Sequence, residues 1–227
     1  MKVVAIIPAG GKGTRSGSAT PKQYLKFDGK ELIAYPLQTF QKCRLINEII
    51  IAADQNYFPT LEKIVKKYKL TKVSKIVKGG KERQGSVFNA LNSISLKDND
   101  LVAVHDAARA LLPLPVLKNA ILNAKENGNA LVCIPAKDTL VKGKSKVETY
   151  VDRKNIFYVQ TPQIFKFETL KRAMLKAKKD KFLGTDESML VSRIGEKINI
   201  VEGASINFKI TTKEDIEIAK KLLKFKS

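Results

Sequence analysis

The sequence contains no tryptophan, one histidine and only two cysteines among its 227 residues. Cys43 and Cys133 are far apart, and neither has a metal-ligand spacing, which argues against a cysteine-based metal site and does not favour a disulfide. A reduced, cytoplasmic protein is therefore expected. We expect His105, the only histidine, to be packed and hydrogen-bonded rather than to act as a general base.

Long apolar runs are also missing. The longest span about five to seven residues, whereas a membrane helix needs roughly 20. The chain enters a strand-like segment at once and shows no signal-peptide pattern, so no membrane association is expected. Its 44% apolar content suffices for a proper core. The length fits a single domain over residues 1–227.

Acidic residues are scarce beside basic ones. The 42 lysines and arginines exceed the 22 aspartates and glutamates, which gives a formal charge of +20. Most of the excess is lysine, much of it clustered at 63–72, 171–181 and 220–226. No segment interleaves aromatics with arginine, and no helix-turn-helix or zinc-finger spacing occurs. We therefore interpret the lysines as a solvated basic surface and expect no specific nucleic acid as a partner. A basic nucleic-acid-binding protein, rather than an enzyme, remains the alternative function.

Strand-like and helix-like segments alternate along the first 134 residues. The predicted strands are 3–7, 48–53, 73–77, 101–105 and 130–134. The predicted helices are 32–41, 57–68, 83–94 and 115–127, the last with Gly128 as its stop. Continuous apolar strands alternating with helices predict an α/β fold, with a mostly parallel twisted sheet covered by helices on both faces.

The alternation is interrupted near residue 136. Two β-prone stretches, 139–141 and 146–151, predict a hairpin that projects from the sheet as a β-arm at about 136–157. Helices are then predicted at 167–178 and 187–193, and strands at 198–201 and 206–210. Thr211 and Glu214 predict a capping box for a last helix that ends at about Leu223.

A glycine-rich loop follows the first strand, in the segment Pro-Ala-Gly-Gly-Lys-Gly-Thr-Arg. Gly10, Gly11 and Gly13 allow backbone N–H groups to approach an anion, and the cations Arg15 and Lys22 suit a polyphosphate. The loop is neither a Walker A motif nor a good dinucleotide fingerprint, and alone it is also compatible with a tight βα turn. The proline before Lys22 predicts that this lysine is presented from a defined backbone.

Two further turns follow predicted strands. In Gly-Gly-Lys-Glu-Arg-Gln-Gly-Ser-Val, the open backbone and the Ser86 hydroxyl could contact a base edge, although a simple βα turn is favoured from this segment alone. His-Asp-Ala-Ala-Arg places Asp106 at the carboxyl end of a strand, where α/β sheets bind ligands. A carboxylate there suits Mg²⁺ beside substrate phosphates, with a helix cap as the alternative.

The motifs occur in an order that resembles the 2-C-methyl-D-erythritol 4-phosphate cytidylyltransferases over nearly the whole chain. The set comprises Pro-Ala-Gly-Gly-x-Gly-x-Arg, Pro-Lys-Gln-Tyr, Gly-Gly-x-x-Arg-x-x-Ser-Val, His-Asp-Ala-Ala-Arg, Asp-Thr, Val-Asp-Arg, Thr-Pro-Gln, Thr-Asp-Glu and Asn-Phe-Lys-Ile-Thr. Ribitol-5-phosphate cytidylyltransferases share the loop and Thr-Pro-Gln but typically differ at His-Asp-Ala-Ala-Arg and at the Asp-Arg of the arm. The chain is therefore read as the erythritol type, and pentitol phosphate is the alternative substrate. At Gly10 the erythritol family more often has alanine, which leaves that choice open at this position.

The resemblance implies a three-layer Rossmann-like nucleotidyltransferase fold and a role for each matched residue. Arg15 and Lys22 would stabilise charge on the attacked α-phosphate, Asp106 would bind Mg²⁺, and Lys209 would add a cation at the phosphates. The nucleotide CTP would lie against the remaining nucleotide-binding residues: Ala9, Gly10, Gly11, Gly13, Gly80 and Ser86. The methylerythritol phosphate would contact four further residues: Arg109, Thr139, Arg153 and Thr161. In this family the arm embraces a second protomer, so Thr139 and Arg153 would serve the partner's site in a homodimer.

Overall fold

The structure is a computed structural model, and it describes residues 1–11 and 20–224. Two residues with predicted roles, Gly13 and Arg15, lie outside the described residues. The described strands are β1 (Val3–Pro8), β2 (Lys26–Phe27), β3 (Lys30–Glu31), β4 (Glu48–Ala53), β5 (Val73–Lys78), β6 (Leu101–Val104), β7 (Asn129–Pro135), β8 (Leu140–Gly143), β9 (Val147–Val151), β10 (Phe157–Lys166) and β11 (Ile200–Glu202). The described helices are α1 (Ala34–Lys42), α2 (Phe58–Lys67), α3 (Arg83–Asn92), α4 (Leu114–Asn127), α5 (Phe167–Lys179), α6 (Glu187–Ser192) and α7 (Lys213–Lys224).

A seven-stranded sheet forms the centre of the fold, in the order β11-β7-β10-β6-β1-β4-β5. Strand pairs are parallel except those of β10, which runs antiparallel to both β6 and β7. The predicted mostly parallel α/β sheet is therefore confirmed. Because β1 and β6 lie side by side and run the same way, their carboxyl ends meet at one edge of the sheet.

Helices cover both faces of this sheet, because its central strands are apolar on both sides. In β1, Val3 and Ile7 face the core that includes residues of α1, α2 and α4. Val4 and Ile6 face the opposite core, which includes residues of α3, α5 and α6. The predicted three-layer arrangement follows from this division of the buried side chains.

One predicted strand is wrong and one central strand is not predicted. Residues 206–210 form no strand; Ile210 donates a single backbone bond to Ala108, and the Asn207 side chain bonds the backbone of β10. Conversely, residues of β10 insert between β6 and β7 although Pro162 lies within the strand. The pairing with β7 is irregular between Val159 and Gln163, which accommodates a residue that cannot donate to the ladder.

The end of α4 lies where the sequence predicts it, whereas the capping box of α7 is formed by other residues than predicted. Gly128 ends α4 with a φ of +83°, as predicted, because glycine adopts this left-handed conformation without a Cβ penalty. The capping box of α7 is formed by Thr212 and Asp215, not by Thr211 and Glu214. The Asp215 N–H donates to Thr212 Oγ1 (3.2 Å), and the Thr212 N–H donates to Asp215 Oδ2 (2.8 Å).

The predicted hairpin is present. Strands β8 and β9 pair antiparallel in a sheet of their own, outside the central one. Their apolar side chains are open to solvent: Val147 is 56% exposed and Tyr150 is 72% exposed. Since an isolated two-stranded hairpin is marginally stable in water, a contact that covers these apolar side chains would stabilise the arm.

The remaining composition-based expectations concern cysteines and membranes. Cys43 and Cys133 are buried and form no disulfide, as expected. Among the helices of residues 1–11 and 20–224, none combines the length and apolar character needed to cross a bilayer.

Candidate active site

A cavity of about 860 Å³ opens at the carboxyl ends of β1, β4, β5 and β6. It is the place where a parallel sheet is expected to bind a ligand. Eight residues with predicted roles line it: Ala9, Gly10, Gly11, Lys22, Gly80, Ser86, Asp106 and Lys209. Segments that are far apart in the chain therefore form one site.

The start of the glycine-rich loop is fixed by backbone and side-chain bonds. The Ala9 N–H donates to the carbonyl of Ala52 in β4 (2.7 Å). The buried Gln23 amide donates to the Ala9 carbonyl (2.7 Å) and to the Gly11 carbonyl (2.9 Å). Sequence reasoning assigned no role to Gln23, although its place directly after Lys22 in Pro-Lys-Gln-Tyr was the available signal. This amide connects the loop to the segment that carries Lys22.

Lys22 begins a short 3₁₀ turn that spans Lys22–Tyr24. Pro21 precedes it with a φ of −56°, and the Tyr24 N–H closes the turn on the Pro21 carbonyl (2.9 Å). The Tyr24 ring stacks on Tyr57, with centroids 4.3 Å apart. The prediction that Lys22 is presented from a defined backbone is confirmed, and Lys22 lines the cavity.

The second glycine turn forms another wall of the cavity. A Cβ on Gly80 would lie 2.6 Å from the Gly85 carbonyl carbon, so no larger residue fits there without moving the backbone. The Ser86 hydroxyl accepts from the Gly80 N–H (3.0 Å) and donates to the Glu82 carbonyl (3.1 Å). Hydrogen bonds within the turn therefore fix its conformation at the start of α3.

Asp106 lies at the centre of the charged part of the site. Its Oδ1 accepts from Arg83 Nε (2.8 Å), and its Oδ2 pairs with Lys209 Nζ (2.9 Å). Burial opposes ionisation of this carboxyl, but the facing charges of Arg83 and Lys209 outweigh it and hold its pKa well below the ordinary range. The next helix, α4, begins only at Leu114 with Pro113 as its N-cap, so Asp106 does not cap it.

Arg83 is held from its far side by a buried carboxylate. Its two terminal nitrogens donate to the two oxygens of Glu187, at 2.7 and 2.9 Å. The Glu187 side chain is only 1% exposed and lies in the first turn of α6. The sequence alone indicates no role for either residue, because nothing local shows that they meet.

His105 is buried behind Asp106 and is 0% exposed. Thr161 Oγ1 accepts from the Asp106 N–H (3.1 Å) and lies 3.0 Å from His105 Nδ1, while Nε2 lies 3.1 Å from the Arg109 carbonyl. The hydroxyl proton therefore goes to Nδ1, and the imidazole proton is on Nε2. Burial lowers the pKa of His105 to about 4, so the ring is neutral at physiological pH. The expectation of a packed histidine is confirmed.

We expect the imidazole of His105 not to titrate between about pH 8 and pH 5.5, unlike an exposed histidine. As the pH falls below 6.5, the imidazole is protonated in the unfolded chain but stays neutral in the folded chain until about pH 4. The free energy of unfolding therefore decreases as the pH falls from 6.5 to about 4. Ring resonances in ¹H–¹⁵N NMR spectra report this directly, since the chain has one histidine. A midpoint near 6.5 would contradict the assignment.

Arg109 and Thr161, two predicted substrate residues, lie beside the cavity but do not line it. The Arg109 guanidinium donates to the carbonyls of Asn207 (2.7 Å) and Val159 (3.1 Å), and its Nε has no partner among the described residues. The Asn207 amide in turn donates to the Thr161 carbonyl (2.9 Å). These bonds hold the segment that carries Lys209 against β10.

Thr139 and Arg153, the other two predicted substrate residues, are exposed on the arm side of the molecule. Arg153 donates to the Lys137 carbonyl at the base of the arm. Neither residue lines the cavity of its own chain. The structure thus brings together those predicted nucleotide and metal residues that lie in its described ranges, and the predicted arm residues do not line the same cavity.

Comparison with known proteins identifies the family of the chain. The family model 2-C-methyl-D-erythritol 4-phosphate cytidylyltransferase (IspD) matches residues 3–225. The chain is 39% identical to the cytidylyltransferase of that name from Geotalea uraniireducens, over 99% of this chain and 97% of the relative. It is 40% identical to the one from Clostridium perfringens, over 98% of this chain and 99% of the relative.

Solved structures give the same result. The cytidylyltransferase from Thermus thermophilus superimposes with a TM-score of 0.82 at 28% identity, and covers 99% of this chain and 100% of its own. The 4-diphosphocytidyl-2C-methyl-D-erythritol synthase from Anaerococcus prevotii gives a TM-score of 0.85 at 26% identity, and covers 98% of both chains. The chain belongs to the 2-C-methyl-D-erythritol 4-phosphate cytidylyltransferase family.

Proposed function

We propose that the cavity around Asp106 is the place where this chain binds CTP and transfers its CMP group. The chain is a nucleotidyltransferase that converts CTP and 2-C-methyl-D-erythritol 4-phosphate into 4-diphosphocytidyl-2-C-methyl-D-erythritol and pyrophosphate, in the non-mevalonate pathway to isoprenoid precursors. The observation that carries the location is the convergence of glycine backbone, Lys22, Lys209 and a buried carboxylate on one cavity. Backbone N–H groups and cations are the donors that suit a triphosphate.

The chemistry requires positioning and charge stabilisation rather than proton abstraction. The attacking phosphate oxygen of the sugar phosphate is already ionised at neutral pH, and it displaces pyrophosphate in line from the α-phosphate. The neutral, buried His105 is consistent with a reaction without a general base. Lys22, together with Arg15, would stabilise the charge that builds up on the α-phosphate.

The Asp106 carboxylate fits a magnesium ion whose other ligands would be nucleotide phosphates. Within the described ranges, no group of three or more His, Cys, Asp or Glu side chains forms a metal site, so a divalent cation would bind weakly at Asp106 without the nucleotide. Mg²⁺ is commonly held by one or two carboxylates together with substrate phosphates, and the Asp106 carboxylate is ionised at the cavity. When bound, the ion would neutralise phosphate charge and orient the triphosphate.

We further propose that the active unit is a homodimer joined through the arm. The exposed apolar side chains of β9 and of the base of the arm support this, among them Tyr150 at 72% and Tyr158 at 44% exposure. Thr139 and Arg153 do not line the cavity of their own chain. In a symmetric dimer they would bind the sugar phosphate at the partner's site, with Arg109 and Thr161 helping to orient it.

A mixed-dimer experiment tests the shared site. Lys22→Ala and Arg153→Ala homodimers should each be nearly inactive. After they are unfolded together and refolded, half of the dimers are mixed and each has one intact site, so about a quarter of wild-type activity should return. Light scattering and Tm measurements serve as controls for assembly and folding. Failure of the mixture to recover activity, with mixed dimers present, would contradict the shared site.

The reaction itself is tested by pyrophosphate release from CTP and Mg²⁺. We expect release with 2-C-methyl-D-erythritol 4-phosphate and much less with ribitol 5-phosphate. Preference for ribitol 5-phosphate would transfer the assignment to the pentitol type. Absence of release with either, together with tight salt-dependent DNA binding, would favour the basic nucleic-acid-binding alternative.

A further inference from the structure

The two cations that contact Asp106 bind different oxygens of the same carboxylate. Arg83 Nε contacts Oδ1 at 2.8 Å, and Lys209 Nζ contacts Oδ2 at 2.9 Å. Asp106 and both of its cations line the cavity. Oδ2 is the oxygen whose cation has the more exposed side chain, 42% for Lys209 against 26% for Arg83. A metal ion ligated by Asp106 from the cavity would therefore compete with the Lys209 ammonium for this oxygen.

The two cations are held very differently. Arg83 donates to three carboxylate oxygens, two of which belong to the buried Glu187. Moving Arg83 from this position would leave Glu187 buried without a counter-charge, which strongly disfavours any displacement of Arg83. Lys209 is 42% exposed and has one ion pair within the described part of the chain. Its compact ammonium on a flexible stem can swing away at little cost.

We propose that Lys209 is an exchangeable counter-ion: it neutralises Asp106 Oδ2 in the empty enzyme and moves to the triphosphate when a divalent cation takes its place. Arg83 stays on Oδ1 throughout and keeps the carboxylate oriented. The exchange leaves no charge unpaired. The divalent cation replaces the Lys209 ammonium at Asp106, and the ammonium then pairs with the negatively charged triphosphate. The identity of the nucleotide as CTP rests on the proposed function, but competition between Lys209 and a metal ion does not.

The test is binding of Mn²⁺ alone, measured by electron paramagnetic resonance without nucleotide. In the Lys209→Met variant the competing charge is gone, so Mn²⁺ affinity should rise roughly three- to tenfold, as expected for a partly exposed ion pair. Affinity for CTP should fall about tenfold in the same variant, because a charged donor to phosphate is lost. A purely structural role for Lys209 would not move the two affinities in opposite directions.

Three control variants distinguish the effect of the positive charge at residue 209 from the effect of removing a lysine elsewhere. Lys209→Arg retains the charge and should leave Mn²⁺ affinity within about twofold, and so should Lys213→Met, which removes an exposed lysine at the start of α7. Asp106→Asn should abolish the Mn²⁺ site, and Tm values show that each variant is folded. Unchanged or weaker Mn²⁺ binding in folded Lys209→Met, or no binding in any variant, would overturn the exchange. Because no substrate turnover enters this measurement, its outcome is independent of whether CMP transfer is confirmed.

Discussion

Replacement of Lys22 by alanine is expected to lower the rate of CMP transfer by at least about 100-fold, because a donor aimed at developing phosphate charge is removed. The 3₁₀ turn after Pro21 and the Gln23 amide hold this lysine beside the glycine-rich loop, so Lys22 lines the cavity from a fixed backbone. Steady-state kinetics with CTP and methylerythritol phosphate should show the loss mainly in kcat, since the interaction strengthens in the transition state.

The matched control for this experiment is Lys26→Ala, which removes an exposed lysine from β2, a few residues along the chain. It should leave kcat within about twofold, as is usual for surface substitutions. Wild-type turnover in a folded Lys22→Ala variant would remove Lys22 from the reaction. Equal losses in both variants would indicate a general effect of charge rather than a specific contact.

Replacement of Arg83 by methionine is expected to destabilise the fold by about 3 kcal/mol, because Glu187 is left as an unpaired carboxylate in a buried site. The double variant Arg83→Met/Glu187→Met should recover most of that stability, since a buried ion pair can be replaced by apolar side chains of similar volume. Activity should nevertheless stay about 10- to 100-fold below wild type, because Asp106 has lost the donor that orients Oδ1. Urea unfolding measures the first effect and pyrophosphate release the second.

The Mg²⁺ dependence of the double variant gives a further readout, because a misoriented Asp106 should raise the Mg²⁺ concentration needed for half-maximal rate. The control is Arg172→Met, which breaks exposed ion pairs to Glu168 and Glu196 and should cost less than about 1 kcal/mol. If the double variant regains both stability and activity, Arg83 serves the fold alone.

Features that depend on neighbours in the chain were predictable. The strand at Glu48–Ala53, the end of α4 at Gly128, the projecting hairpin and the backbone presentation of Lys22 all follow from residues within about one turn or strand of each other. The start of α7 shows how precise such predictions are. A capping box is present as predicted, but it is formed by Thr212 and Asp215, one residue further along the chain than predicted.

Features that depend on distant packing were not predictable in the same way. No strand is predicted at β10, and Pro162 is a residue that disfavours a central strand. Pairing with β6 and β7 on both sides outweighs that preference. Residues 206–210 look like a strand, but Asn207 fixes them by side-chain bonds instead of ladder pairing. Local propensity is a weak guide wherever tertiary contacts supply the hydrogen bonds.

The sequence by itself determined the family, the α/β alternation and the residues that are suited to handle phosphate, because these reside in ordered local motifs. Only the tertiary structure decided how the charges are paired. Arg83 and Glu187 are 104 residues apart, yet they meet behind Asp106, and Lys209 approaches the same carboxylate from the far end of the chain. The physical reason is that buried charges must be paired wherever the fold places them, and the partner is set by the packing of sheet and helices rather than by distance along the chain.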